Sequence, residues 1–308
     1  MLLHNDKELF REVVVSAAEE FGLVVPIVEK DYYVTMILRK LSMECPECVF
    51  KGGTSLSKCH HVIDRFSEDI DIAFSNKLSQ GMRKHLKNDT IAGISDVLEM
   101  PILDWENARS RRDYNCYTFS YAPLEGDVTE GRLIQGVKLE VSFATLSFPT
   151  VKLPVESYVY QYLVKDNMDI VDEYSLQPFV MNVQGIDRTL ADKVFAICDY
   201  YIQGKTKRYS RHIYDIYMLL PVVELNEKFK ELIKQVREVR AKMNVCPSAA
   251  LGVDVPKLLR EIIEKEVYKE DYSEITTYFQ NHPVSYESAI EAVRIVAESG
   301  MLSPAFHY

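Results

Sequence analysis

The stretch Phe50-Lys51-Gly52-Gly53-Thr54-Ser55-Leu56, closely followed by Arg65-Phe66-Ser67-Glu68-Asp69-Ile70-Asp71-Ile72-Ala73-Phe74, constrains this chain more than any other part of it. Cys48-Val49-Phe50 is a short apolar run that stops at a glycine pair, and Thr54-Ser55 opens a segment able to start a helix. The order is strand, turn, helix N-terminus. Glycines let a backbone approach phosphate oxygens closely, while the N–H groups of a helix N-terminus and nearby hydroxyls supply donors for the anion. In Asp69-Ile70-Asp71-Ile72 the period is two, which places both carboxylates on one face of a strand and both isoleucines on the other. Two hard oxygen ligands on one side can hold Mg²⁺ together with substrate phosphates. The same alternation also describes the wet face of an ordinary strand. The weight therefore falls on the order and spacing of the two halves between Lys51 and Phe74.

In that order the residues resemble the nucleotidyltransferase superfamily. The closer resemblance, carried by Lys51 to Lys58 and Arg65 to Phe74, is to the AbiEii/AbiGii abortive-infection toxins, the nucleotidyltransferase-like toxins of bacterial toxin–antitoxin pairs. It implies an α+β fold: a mixed sheet flanked by helices, with a C-terminal helical lobe. It also implies an NTP substrate with Mg²⁺, a third acid on a later strand and a cognate antitoxin as partner, and it makes tRNA a candidate acceptor. Glu29-Lys30-Asp31-Tyr32 is similar to a segment of the same family, although these residues also read as a solvated helix turn.

Composition sets the limits within which that reading must fit. The chain has 308 residues, 47% of them hydrophobic, and a formal charge of −10. That is room for a sizeable core, with no global basic field to collect nucleic acid. No apolar run approaches membrane-spanning length, and Met1 to Lys7 lacks a signal-peptide pattern, so the expectation is a cytoplasmic protein that does not engage a membrane. The six cysteines show no disulfide-scaffold spacing. Cys45-Pro46-Glu47-Cys48 has no second Cys-x-x-Cys to complete a zinc site and reads as a turn into the first strand.

Along the chain, Asp6 to Phe21 and Val28 to Met43 carry apolar residues at helical spacing, separated by Gly22 and Pro26. Asn76 to Met100 reads as a helix interrupted near Asn88-Asp89. Tyr114 to Tyr121 and Leu133 to Phe143 read as strands joined by a hairpin-like connection over Ala122 to Arg132. On the second of these, Glu140 is the candidate third acid, as a metal ligand or a base, because a carboxylate beside the Asp69/Asp71 strand would complete a two-metal ligand set. Lys138 and Glu140 equally fit a solvated strand face. Arg109, Arg111 and Arg112 precede an aromatic strand and could meet a phosphate backbone, or be ordinary loop arginines.

After a last strand at Phe179 to Val183 the pattern turns helical, which divides the chain into a catalytic domain over 1–184 and a helical domain over 185–308. Asp187 is the expected cap of a helix from Arg188 to Gln203, and Ser210 that of a helix from Arg211 to Leu220. Within them, Leu190-Ala191-Asp192-Lys193-Val194 and Arg211-His212-Ile213-Tyr214-Asp215 resemble the family's later motifs. That resemblance places Lys193 on the triphosphate and Asp215 opposite it, whereas Arg211 at i−4 offers Asp215 a plain intrahelical ion pair. The helical domain would thus contribute Lys193 and Asp215 to the site. The expected reaction is Mg²⁺-dependent nucleotidyl transfer: phosphates on Gly52, Gly53, Thr54 and Ser55, metal on Asp69, Asp71 and Glu140. A small-molecule nucleotidyltransferase or an NTP-dependent phosphotransferase would use the same residues. The tail Pro304 to Tyr308 reads as short and apolar.

Overall fold

The computed structural model describes residues 1–125 and 133–302, so the expected tail Pro304 to Tyr308 and residues 126–132 of the expected Ala122 to Arg132 connection lie outside the described residues. The packing divides into two compact units, Met1–Cys59 with Glu68–Val183, and His60–Ser67 with Gln184–Tyr308.

The first unit is built on a sheet of six strands: β1 (Cys48–Lys51), β2 (Ile70–Phe74), β3 (Tyr114–Phe119), β4 (Val137–Leu146), β5 (Thr150–Val155) and β6 (Phe179–Gln184). Their order is β3-β4-β2-β1-β6-β5. The sheet is mixed: β1 pairs antiparallel with β2 and parallel with β6, while β2 is parallel to β4 and β4 antiparallel to β3. Two helices precede it, α1 (Lys7–Phe21) and α2 (Val25–Glu44), and α3 (Gly52–Lys58) follows β1 directly. The Asp6 carboxylate caps α1 by accepting from the Leu9 N–H, and Gly22 ends that helix at φ 64°. Ile70, Ile72, Leu139 and Val141 join Val28, Tyr32, Ile37 and Leu41 in one apolar core. Each such side chain contributes about 1.5–3 kcal/mol by leaving water. The alternation in β2 and β4 thus sends every second residue to this core and leaves Asp71 and Glu140 on the other face. The expected break at Asn88-Asp89 is a wide π-type turn, Leu86–Ile91, between two short α-helices.

The second unit is helical, with α4 (Ile186–Ile202), α5 (Arg211–Leu219), α6 (Glu227–Arg240), α7 (Val255–Glu264) and α8 (Tyr286–Glu298). Helix α5 packs between α4 and α8, burying Leu190, Val194, Ile197, Ile213, Ile216 and Val293. Two expected caps differ. Gly185 occupies the N-cap of α4, leaving Asp187 in the first turn, where its charge still opposes the helix dipole favourably. Ser210 is the N-cap of α5, but its hydroxyl shares a hydrogen bond with Thr276 at 2.7 Å instead of capping. His60–Ser67 joins this unit because the Phe66 N–H donates to the Phe279 carbonyl at 2.9 Å and Asn281 Nδ2 to Asp64 Oδ1 at 2.7 Å. Among the described residues no helix is long and apolar enough to cross a membrane.

Candidate active site

In the first unit the site residues converge through strand register. Lys51 pairs with Asp71, Asp71 with Glu140, and Glu140 with Cys116. Paired residues share a face, so a row of four side chains crosses β1, β2, β4 and β3, each step spanning about 4.8 Å between strands. Asp69 lies two residues before Asp71, at the mouth of β2. Sequence alone could not decide whether Glu140 faced solvent or the acidic strand; the pairing of β2 with β4 puts it beside Asp71.

The electrostatics follow from that placement. Burial, then the charges of Asp71 and Asp69, push the Glu140 carboxyl up to about 7, with Tyr114 and Lys51 opposing the rise. Burial and Glu140 push the Cys116 thiol up to about 12, and the same pair of causes, in the same order, raises the Tyr114 hydroxyl. Gathering negative charge in this way is unfavourable unless a cation offsets it. Among the described residues no group of three His, Cys, Asp or Glu side chains closes on a metal by itself. The donor set nevertheless suits Mg²⁺, which takes one or two carboxylates and completes its shell with water and phosphate oxygens.

Gly52 holds the turn against this row. Its φ of +79° lies in the left-handed region, and a Cβ there would come 2.9 Å from Asp71 Cγ and 3.2 Å from Asp71 Cβ. Only glycine fits. The hydroxyls of the Gly-Gly-Thr-Ser turn are turned inward: Thr54 Oγ1 donates to the Asp69 carbonyl at 2.5 Å, and Ser55 Oγ to the Gly52 carbonyl at 2.9 Å. Both residues are buried. Thr54 ties this segment to the residue before β2, and Ser55 closes it back on Gly52.

A second layer of charge supports this one. Glu29, Lys30 and Asp31 are buried, which corrects the solvated helix turn that their polarity suggests. Glu29 accepts from the Leu124 N–H at 3.0 Å, Lys30 Nζ donates to Glu68 Oε2 at 2.7 Å, and Asp31 pairs with Lys58 at 2.5 Å. Three successive residues of α2 therefore hold three different segments, among them the residue before Asp69 and the end of α3. Arg109 and Arg112 brace their own loop, on the Glu106 and Asn107 carbonyls. Cys45 and Cys48 are buried free thiols at the turn into β1.

In the second unit Lys193 and Asp215 are brought together. Lys193 Nζ lies 2.8 Å from Asp215 Oδ2 and 3.2 Å from His212 Nδ1. Arg65, not Arg211, makes the fork on Asp215: Nε to Oδ1 at 2.8 Å and Nη2 to Oδ2 at 2.9 Å. Asp215 is 0% exposed, Arg65 4% and Lys193 7%. Burial alone would raise the Asp215 carboxyl, but Arg65 and then Lys193 outweigh it and hold it well below the usual carboxylate range. Lys193 is lowered, first by burial and also by Arg65, against the pull of Asp215. With two cations on one carboxylate the cluster keeps a surplus of positive charge, which favours an anion. Arg65 escaped sequence reading as a partner because 150 residues separate it from Asp215.

Against known proteins, residues 37–292 match the profile of the nucleotidyl transferase AbiEii toxin family, a type IV toxin–antitoxin system. No curated protein sequence matches the chain. Among solved structures the fold is similar to MenT4, a nucleotidyltransferase toxin from Mycobacterium tuberculosis H37Rv, with a TM-score of 0.60 and 15% identity over 93% of this chain and 88% of that one. That likeness bears on the fold: a mixed six-stranded sheet flanked by helices, as in a nucleotidyltransferase toxin. With the family profile spanning both the glycine turn and the Lys193–Asp215 cluster, the chain belongs to the AbiEii family of nucleotidyltransferase toxins of type IV toxin–antitoxin systems.

Proposed function

We propose that this protein transfers NMP from an NTP to an acceptor hydroxyl, with tRNA as the acceptor, and that it acts in the cytoplasm as a toxin held in check by a cognate antitoxin. The observation that carries the reading is the Asp71–Glu140 pairing beside Gly52, in a chain of a nucleotidyltransferase family. Asp69 and Asp71 would hold Mg²⁺, with Glu140 either as a third ligand or as the base; the metal when bound offsets phosphate charge and polarises the α-phosphorus. Gly52 lets the turn close onto Asp71, beside the metal carboxylates, and the backbone N–H groups of Gly53, Thr54 and Ser55 donate to the phosphate oxygens. Lys193 carries the positive charge that balances the triphosphate, and Asp215 with Arg65 fixes the lysine.

In the transfer, the acceptor oxygen forms a bond to the α-phosphorus, the bond from that phosphorus to the β-bridging oxygen breaks, and pyrophosphate leaves with the electron pair. The hydroxyl proton passes to a carboxylate of the acidic row. A Glu140 carboxyl shifted to about 7 has the basicity for that role when it is not itself a ligand.

The test is incubation of the purified protein with total bacterial tRNA, Mg²⁺ and each α-labelled NTP in turn, with Asp69→Ala as control. Label on RNA from one NTP, lost in the variant, supports the reading and names the base. Label that appears only on small molecules moves the acceptor to that class, and a parallel incubation in which label from γ-labelled NTP, and none from α-labelled NTP, reaches the acceptor makes the protein a phosphotransferase.

A further inference from the structure

Asp215 is not the only group that meets Lys193: the His212 ring does so as well, from the same helix. His212 and Asp215 are three residues apart on α5, so both face the same neighbour. We propose that His212 is a positioning residue for Lys193, its Nδ1 accepting a hydrogen bond from the lysine ammonium so that, with Asp215, it fixes the direction of that cation. The inference rests on the reading of Lys193 as the triphosphate cation.

An ammonium has three N–H donors in fixed tetrahedral directions. One is directed at Asp215 Oδ2, 2.8 Å away, and a second at His212 Nδ1, 3.2 Å away. Two fixed donors determine the third, which is the one left for a phosphate oxygen. With Asp215 alone the ammonium could rotate about a single contact. An accepting Nδ1 requires the ring proton on Nε2 and a neutral imidazole. The surroundings agree, since His212 faces Lys193, Asp215, Arg211 and Arg65, and burial followed by Lys193 pushes its pKa well below the ordinary value. An imidazolium here would add a fourth cation beside Lys193, Arg211 and Arg65.

The ring itself is held. Tyr200 lies parallel to it, with centroids 5.7 Å apart and planes at 8°, and Tyr209 stacks on Tyr200 at 3.6 Å. The backbone N–H of His212 donates to the Tyr209 carbonyl at 3.1 Å, which ties the main chain at the start of α5 to the same aromatic stack. The aromatic stack sets the ring plane, the ring sets the ammonium, and the ammonium meets the anion.

Two substitutions separate this role from packing. His212→Asn keeps an acceptor near the Nδ1 position, and His212→Leu fills the space without one. Both are compared with wild type and Lys193→Ala for nucleotide transfer at matched urea midpoints, and the His212 tautomer is read from ¹⁵N shifts. We expect His212→Leu to lose about tenfold or more in kcat/KM, His212→Asn to recover most of that loss, and wild-type His212 to carry its proton on Nε2, a preference that Lys193→Ala abolishes. Transfer by His212→Leu at the wild-type rate, equal damage in the Asn and Leu variants, or a proton on Nδ1 would overturn the inference while leaving the nucleotidyl reading intact. Absence of transfer by the wild type strikes instead at that reading, and the tautomer then decides the hydrogen bond alone.

Discussion

Gly52→Ala should damage this protein twice over. A residue other than glycine at φ +79° costs about 1–2 kcal/mol from the backbone alone. The new methyl must also displace the Asp71 carboxylate, whose Cγ would lie 2.9 Å away, and overpacking of that kind costs about 1–3 kcal/mol. Together the loss is about 2–5 kcal/mol. Gly22 is the control: its φ is +64° and nothing lies within 4 Å of its added Cβ, so Gly22→Ala should cost only the backbone share. Urea unfolding of both variants, and of Gly52→Ala in an Asp71→Ala background, separates the contributions. With the carboxylate gone, the Gly52→Ala cost should fall toward that of Gly22→Ala. Activity should fall further than stability, because moving a ligand by about 1 Å can cost about a hundredfold in rate. Equal costs for Gly22→Ala and Gly52→Ala, or a Gly52→Ala cost unchanged by removal of the Asp71 carboxylate, would refute the close approach. So would full transfer activity in Gly52→Ala.

Asp215→Ala leaves Arg65 and Lys193 buried without their shared anion and should cost about 3–5 kcal/mol in urea unfolding. Because folding depresses the Asp215 carboxyl below its ordinary 3.8, its contribution is present above that value and is lost as pH falls below it; Asp215→Asn should flatten this acid limb. Glu29 runs the opposite way: burial raises its carboxyl to about 7 from 4.5, so folding favours the protonated acid and stability declines as pH rises through that window. Glu29→Gln should remove the decline and unfold at a higher urea concentration than wild type at pH 8, an outcome checked by the pH dependence of the urea midpoint. Asp71→Ala should abolish transfer while leaving the fold intact by circular dichroism, since its side chain stands on the face of β2 away from the core.

Local pattern made part of this molecule readable. The period-two runs at Asp69 to Phe74 and Val137 to Phe143 can satisfy a half-buried strand and little else, and the glycine pair marks where the strand ends and a helix begins, although Gly52 and Gly53 open α3 directly instead of forming a separate turn before it. What pattern cannot carry is pairing between distant segments. Asp71 beside Glu140 is a fact of sheet order, and Arg65 on Asp215 is a fact of packing. The same limit explains Glu29, Lys30 and Asp31, whose charges look solvated until Leu124, Glu68 and Lys58 supply their partners. Strand β5 was invisible for another reason. Thr150 to Val155 sits at the sheet edge, mostly exposed and with Pro154 within it, so it needs no apolar alternation. The placement of His60–Ser67 with the helical unit had no local signal either, because it depends on contacts with residues near Phe279 and Asn281.

One measurement reaches the central claim directly: pyrophosphate released and α-labelled nucleotide retained on acceptor, followed together for wild type and Asp71→Ala with tRNA, NTP and Mg²⁺. The wild type should give equal amounts of pyrophosphate and transferred nucleotide, and the variant neither. Inorganic phosphate in place of pyrophosphate, or undiminished transfer by Asp71→Ala, would contradict it.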